Sequence, residues 1–243
     1  MRIRFTTGGF LRVLAIWTAL FAAFLLTIAL LSHKPVFRAV ILMSTGLVVL
    51  WIGIGGTLSR VFRDRMQSWF DAIPGSWQVK FVLFCTLLAL IEEAVTVAMT
   101  NLAPLFGVPI GKAYITASAN YFDVVCLHSV VVLVPEFVAW AWILSRWKIH
   151  PNVVLILYGL TGILGEAAFG GAQAFVSFGM WTFVYGLMVY LPAYCIPTER
   201  PGRTPPWWSY PAAVVFPILC AVPVALVVSH FHPTKIHFPP IKE

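Results

Sequence analysis

Seven uninterrupted apolar stretches, each about 20 residues long, dominate this chain and leave it few ways to fold. A run of that length, wound as an α-helix with about 1.5 Å of rise per residue, matches the hydrocarbon thickness of a bilayer. A membrane β-barrel would show alternating hydrophobicity in pieces of about ten residues, and no such alternation is present. A soluble domain is about one quarter charged, whereas 60% of this chain's 243 residues are hydrophobic and 10% are charged. The sequence therefore predicts an all-α, polytopic transmembrane helix bundle of about seven spans.

The spans fall near 11–32, 37–57, 80–105, 121–145, 152–171, 173–195 and 211–230. They form one domain over residues 1–230, followed by a Pro-rich tail, 231–243, expected to be poorly ordered. The first run is longer than a secretory h-region and has no small-residue cleavage site before Lys34, so it reads as a retained span. Arg2, Arg4, Arg60, Arg63, Arg65, Arg146, Lys148, Arg200 and Arg203 fall on one side of that plan, against Lys34, Arg38, Lys112, Lys235 and Lys242 on the other. The positive-inside rule then predicts a cytoplasmic N-terminus and an external C-terminus.

Between the second and third spans, Ser59 to Ala72 sets Val61, Phe62, Met66, Trp69 and Phe70 against Arg60, Arg63, Asp64, Arg65 and Gln67. That pattern predicts a short amphipathic helix in the membrane interface, ended by Pro74 and Gly75. Trp207, Trp208 and Tyr210 would anchor the last span at an aromatic belt. Cys85, Cys126, Cys195 and Cys220 all lie in apolar runs, which disfavours disulfides and a cysteine zinc site. The net charge of +7 is scattered among loops. Such scatter argues against a nucleic-acid partner and suits the headgroups of a lipid bilayer.

The acids carry the functional signal. Asp64, Asp71, Glu199 and Glu243 lie in loops or the tail, leaving Glu92, Glu93, Asp123, Glu136 and Glu166 inside predicted spans. Each mid-membrane charge costs about 2.5–3.5 kcal/mol on insertion scales, so five of them are expected to face the protein interior. Glu92 and Glu93 point about 100° apart on a helix; made unequal by burial and by each other, they can divide general-acid and general-base roles. His128 is the one histidine predicted well inside a span, because His33, His150, His230, His232 and His237 lie in loops or the tail. A three-histidine zinc site is thereby disfavoured, and no metal ligands are assigned. Pro135 removes the N–H that would pair with the Val131 carbonyl, so a kink is expected just before Glu136. Gly159, Gly162 and Gly165 put small residues at spacing three beside Glu166, which predicts a close helix neighbour. Gly170 and Gly171 predict a very tight turn between the fifth and sixth spans.

Glu92 and Glu93, followed about 35 residues later by His128, resemble in part the CAAX-protease and bacteriocin-processing family of intramembrane glutamate proteases, over residues 80–130 at most. The resemblance implies a glutamate on one span activating a water held by histidine from another. It departs from the family in lacking the arginine after the paired glutamates, the Phe-x-x-x-His spacing and a later intramembrane histidine. No serine-nucleophile elbow, phosphate loop, dinucleotide fingerprint or His-Glu-x-x-His motif is present.

Three readings follow. The first is an intramembrane hydrolase acting on a lipidic or membrane-peptide substrate, with Glu92, Glu93, His128 and Glu166 as catalytic candidates. The second is a proton- or cation-coupled transporter, with Asp123 and Glu136 extending the acids into a relay or lining a pore. The third is a non-catalytic subunit of a membrane assembly, its polar groups holding helices together or binding a pigment or lipid. Cofactor and oligomeric state are left open by all three.

Overall fold

The computed structural model describes residues 6–234 and 236–238. Arg2, Arg4, Lys235, Lys242 and Glu243 therefore lie outside the described residues. The chain forms α1 (Thr7–Leu31), α2 (Pro35–Val61), α3 (Arg63–Ala72) and α4 (Trp77–Asn101), then α5 (Tyr121–Leu127), α6 (Val130–Arg146) and α7 (Pro151–Gly170), and finally α8 (Phe178–Cys195) and α9 (Ser209–Phe231). Among the described residues, six helices are long and apolar enough to cross a membrane, giving up to seven spans when the bent pair α5 and α6 counts as one. The protein is an all-α bundle with the dimensions of a multi-pass membrane protein.

Local chemistry starts these helices where the sequence provides caps. The Ser76 side chain accepts from Val79 N at the head of α4, and Asn120 Oδ1 accepts from Phe122 N and Asp123 N at the head of α5. Pro151 opens α7, where its missing N–H costs nothing, and His150 Nδ1 accepts from Asn152 N.

The fourth span bends by 46°, but not at the expected place. The break falls at His128 and Ser129, whose backbones leave helical geometry at φ/ψ of −131°/−50° and −115°/−79°. Pro135 sits inside the continuous helix α6. Proline is best tolerated near a helix start, and the upstream break puts Pro135 in the second turn instead of mid-span.

The tightest packing is between α7 and α8. A Cβ on Gly159 would lie 2.6 Å from the Thr182 carbonyl oxygen, and one on Gly186 would lie 2.6 Å from that of Leu155. Only glycine lets the two backbones approach so closely. Gly162 would collide with the Tyr185 ring, whereas Gly165 faces open space, so two of the three spaced glycines make the expected contact. The turn is longer than expected: a 3-10 segment, Ala172–Ser177, separates the helices. Around this hairpin, Trp140, Tyr158, Phe81 and Phe137 form the centre of the core. In contrast, α1 and α9 turn Phe24, Leu31, Leu219 and Leu226 outward, as lipid-facing helices do. A π-helical stretch in α2, Val48–Gly55, places Trp51 so that its Nε1 donates to the Val184 carbonyl of α8 at 2.9 Å.

The interfacial helix is shorter than predicted, because Phe62 interrupts it between α2 and α3. On α3, Trp69 is exposed, but Phe70 turns inward and is buried. Lys80 covers the Phe70 ring and donates to the carbonyls of Phe70 and Ile73, closing the helix end.

The two ends of the bundle are defined by contacts. At one, Gly8 lies beside Asn152, Lys148 N donates to Arg203 O, and Arg203 N donates to Arg146 O. At the other, His237 N donates to Ala117 O at 2.7 Å. The described ends of the chain thus sit at opposite ends of the bundle.

Candidate functional site

The intramembrane acids fall into three layers. Glu92 and Glu166 each lie fifteen residues into helices that start at the N-terminal end of the bundle, which places both about 22 Å along it. Glu92 and Glu93 are buried on α4, and together with Glu166 they lie close enough for a charge on one to be felt by the others. The remaining contacts in this layer come from the break between α5 and α6, from α4 itself and from α8. The Ser129 hydroxyl, at the break between α5 and α6, donates to Glu93 Oε1. Thr96 Oγ1 lies 3.0 Å from Glu93 Oε2, and the Tyr185 hydroxyl of α8 donates to Glu166 Oε1. Among the described residues, no Lys or Arg forms an ion pair with any of these carboxyls.

Glu136 forms a second layer, ten residues from the end of α6 and about 15 Å from the N-terminal end of the bundle. It lies beside Tyr158, whose buried hydroxyl makes no hydrogen bond of good geometry. The ring of Tyr158 lies 6.4 Å from that of Tyr185, so phenols step between the Glu136 and Glu166 levels. Nothing in the sequence pattern marked these two tyrosines, which become polar partners only through the α7–α8 contact. Ser129 was equally hidden, as one more small residue in a predicted span.

The third layer sits at the opposite end of the bundle. His128 Nε2 lies 3.9 Å from Asp123 Oδ2, and His237 Nδ1 lies 3.6 Å from the same oxygen. The rings of His128 and His237 meet edge to face at 5.1 Å. His128 remains the one histidine placed within the fourth span, and the described part of the tail brings a second imidazole, His237, beside it. The tail returns because His237 N bonds Ala117 O, while Phe238 stacks on Tyr114 at 4.9 Å.

The structure thus brings together Glu92, Glu93 and Glu166 and puts Glu136 a layer away. It sets His128 with Asp123, and no hydrogen bond or ion pair joins His128 to Glu92 or Glu93 among the described residues. An apolar groove of ≈ 430 Å³ between α4 and α6, lined by Val79, Leu83, Val138 and Trp142, is separate from the acids. Leu83 is nine residues, about 14 Å, from Glu92 along α4. No protein-family model matches the chain, and no curated protein or solved structure does either.

Proposed function

We propose that this protein moves protons through the membrane, as a proton- or cation-coupled transporter. One observation carries the reading: the buried Glu92 and Glu93 of α4 and the partly buried Glu166 of α7 converge without a cationic partner among the described residues, and the Ser129 and Tyr185 hydroxyls donate to Glu93 and Glu166 from either side. Acids of this kind are expensive in a bilayer and serve as proton carriers in pumps and transporters. From the Glu136 level, Tyr158 and Tyr185 lead to Glu166 and Glu92, and from there Glu93 and Ser129 lead towards the Asp123 end. Side-chain rotations of the hydroxyl and carboxyl groups would pass a proton along that line. Basic residues concentrated at the Arg146 and Arg203 end orient that end to the cytoplasm.

The test is proton flux in sealed proteoliposomes carrying a pH-sensitive dye, with an imposed pH gradient and with alkali cations supplied on one side. Wild-type protein should dissipate the gradient faster than empty vesicles, and Glu93→Gln or Glu166→Gln should not. Wild-type vesicles indistinguishable from empty ones under every gradient would reject transport.

A second reading, an intramembrane glutamate-dependent hydrolase, is favoured by the contact between Ser129 and Glu93. A carboxylate receiving a hydroxyl proton has the arrangement that activates a nucleophile, and the same carboxylate could activate water. This reading keeps the resemblance to intramembrane glutamate proteases at Glu92 and Glu93. It expects turnover of a lipid ester or membrane peptide that is lost in Glu93→Gln, with no flux in the vesicle assay.

A further inference from the structure

The tail delivers a second imidazole to a place where a carboxylate and a histidine already face each other. We infer that Asp123, His128 and His237 form a divalent metal site of the zinc class, closed by the C-terminal tail. The three residues each offer one ligand atom, and these atoms all lie within 4.8 Å of one another. Ligand atoms around a tetrahedral zinc with bonds of about 2.0–2.1 Å are roughly 3.3 Å apart, so small side-chain rotations would bring the set onto an ion.

The hydrogen bonding of the two rings points to a cation. His237 Nε2 lies 2.5 Å from the Thr234 carbonyl oxygen, which can only accept, so Nε2 carries the proton. The lone pair of neutral His237 is then on Nδ1, aimed at Asp123 Oδ2, itself an acceptor. With His237 neutral, two acceptors facing each other at 3.6 Å call for a positive charge between them, supplied by a proton on Nδ1 or by a bound cation. His128 Nε2 is buried without a hydrogen-bond partner among the described residues and approaches the same oxygen. The Thr234 carbonyl has the place of the outer acceptor that orients a metal-bound histidine and sets its tautomer.

Two imidazoles and one carboxylate suit zinc and its neighbours better than magnesium or calcium, which prefer oxygen-rich sites. His237 keeps 29% of its side chain exposed, which leaves room for a solvent ligand in the fourth position. Since His237 comes from the tail and the other two from α5 and its end, the ion would tie the chain terminus to the bundle. This site is independent of the carboxyl layer and of the transport reading.

The experiment uses the full-length protein in detergent micelles, stripped with a chelator and titrated calorimetrically with zinc alone. Cobalt substitution then reports coordination by its visible absorption. One ion per chain should bind, with the bands of a four-coordinate nitrogen and oxygen site. His237→Ala and Asp123→Asn should each weaken binding by roughly a hundredfold, and His230→Ala should not weaken it. Zinc should also slow proteolytic release of the tail after Phe231 in wild type but not in His237→Ala. Because His237 lies outside the helices, its loss leaves the bundle folded, and an unchanged elution profile verifies this. Absence of stoichiometric binding by wild type, or wild-type affinity kept in His237→Ala or in Asp123→Asn, would overturn the site.

Discussion

The carboxyl layer and the Asp123 cluster are both acid-centred, yet they are built in opposite ways. Glu92 and Glu93 are buried within the bundle and Glu166 is partly buried, and among the described residues Glu93 and Glu166 are answered only by hydroxyls. Asp123 lies at the rim and is answered by two imidazoles, one from a segment beyond the last helix. The difference teaches that burial alone does not assign a role to a membrane acid. Its partners do: hydroxyls relay a proton, whereas imidazoles offering lone pairs collect a cation.

The comparison breaks most visibly at the acids themselves. Replacing Glu93 and Glu166 together by Gln should lower proton flux about a hundredfold, the scale of a lost acid–base group, while zinc affinity stays unchanged. Loss of both functions together would show the two regions to be one site. Deleting residues 232–243 is the converse test: zinc binding should disappear, with flux kept within about twofold of wild type because no carboxyl-layer contact is touched. Tyr185→Phe removes the hydroxyl on Glu166 and should slow flux about three- to tenfold, the worth of one hydrogen bond, leaving the metal site intact.

Two structural variants sharpen the contrast further. Gly162→Val forces the Tyr185 ring away, so it should destabilise the bundle by about 1–3 kcal/mol and slow flux, read as a lower thermal midpoint in micelles and in the vesicle assay. Arg200 lies far from both clusters. Burial pulls its guanidinium below the usual value, but it stays charged and donates to the Leu144 and Pro197 carbonyls. Arg200→Gln should therefore cost about 1 kcal/mol of stability and leave both flux and zinc affinity unchanged. A change in either would mean that the far end of the bundle controls a cluster.

The resting place of each acid along its helix was legible without coordinates, because rise per residue converts position into depth. From the sequence, that rise ranks Glu166 with His128 nearer the outer surface and Glu92 and Glu93 near the midplane, whereas the observed helix starts put Glu92 and Glu166 level. What could not be read was azimuth: whether Glu166 faced α4 depended on how α7 turned, and that turn is set by Gly159, Gly162 and Gly186 meeting α8. The break in the fourth span shows a related limit. Proline chemistry pointed to a kink just before Glu136, but the chain broke about two turns earlier, at a residue whose hydroxyl Glu93 engages.

By itself the sequence determined that this chain is helical, crosses a membrane several times and carries acids at depths where acids are costly. These follow from apolar run length and the free energy of charge in hydrocarbon, both local properties. Tertiary structure alone decided which polar groups meet: Tyr185 with Glu166, Ser129 with Glu93, and His237 with Asp123 across more than a hundred residues. Helix rotation and the path of a tail are settled by packing between segments far apart in the chain, and no local pattern encodes them.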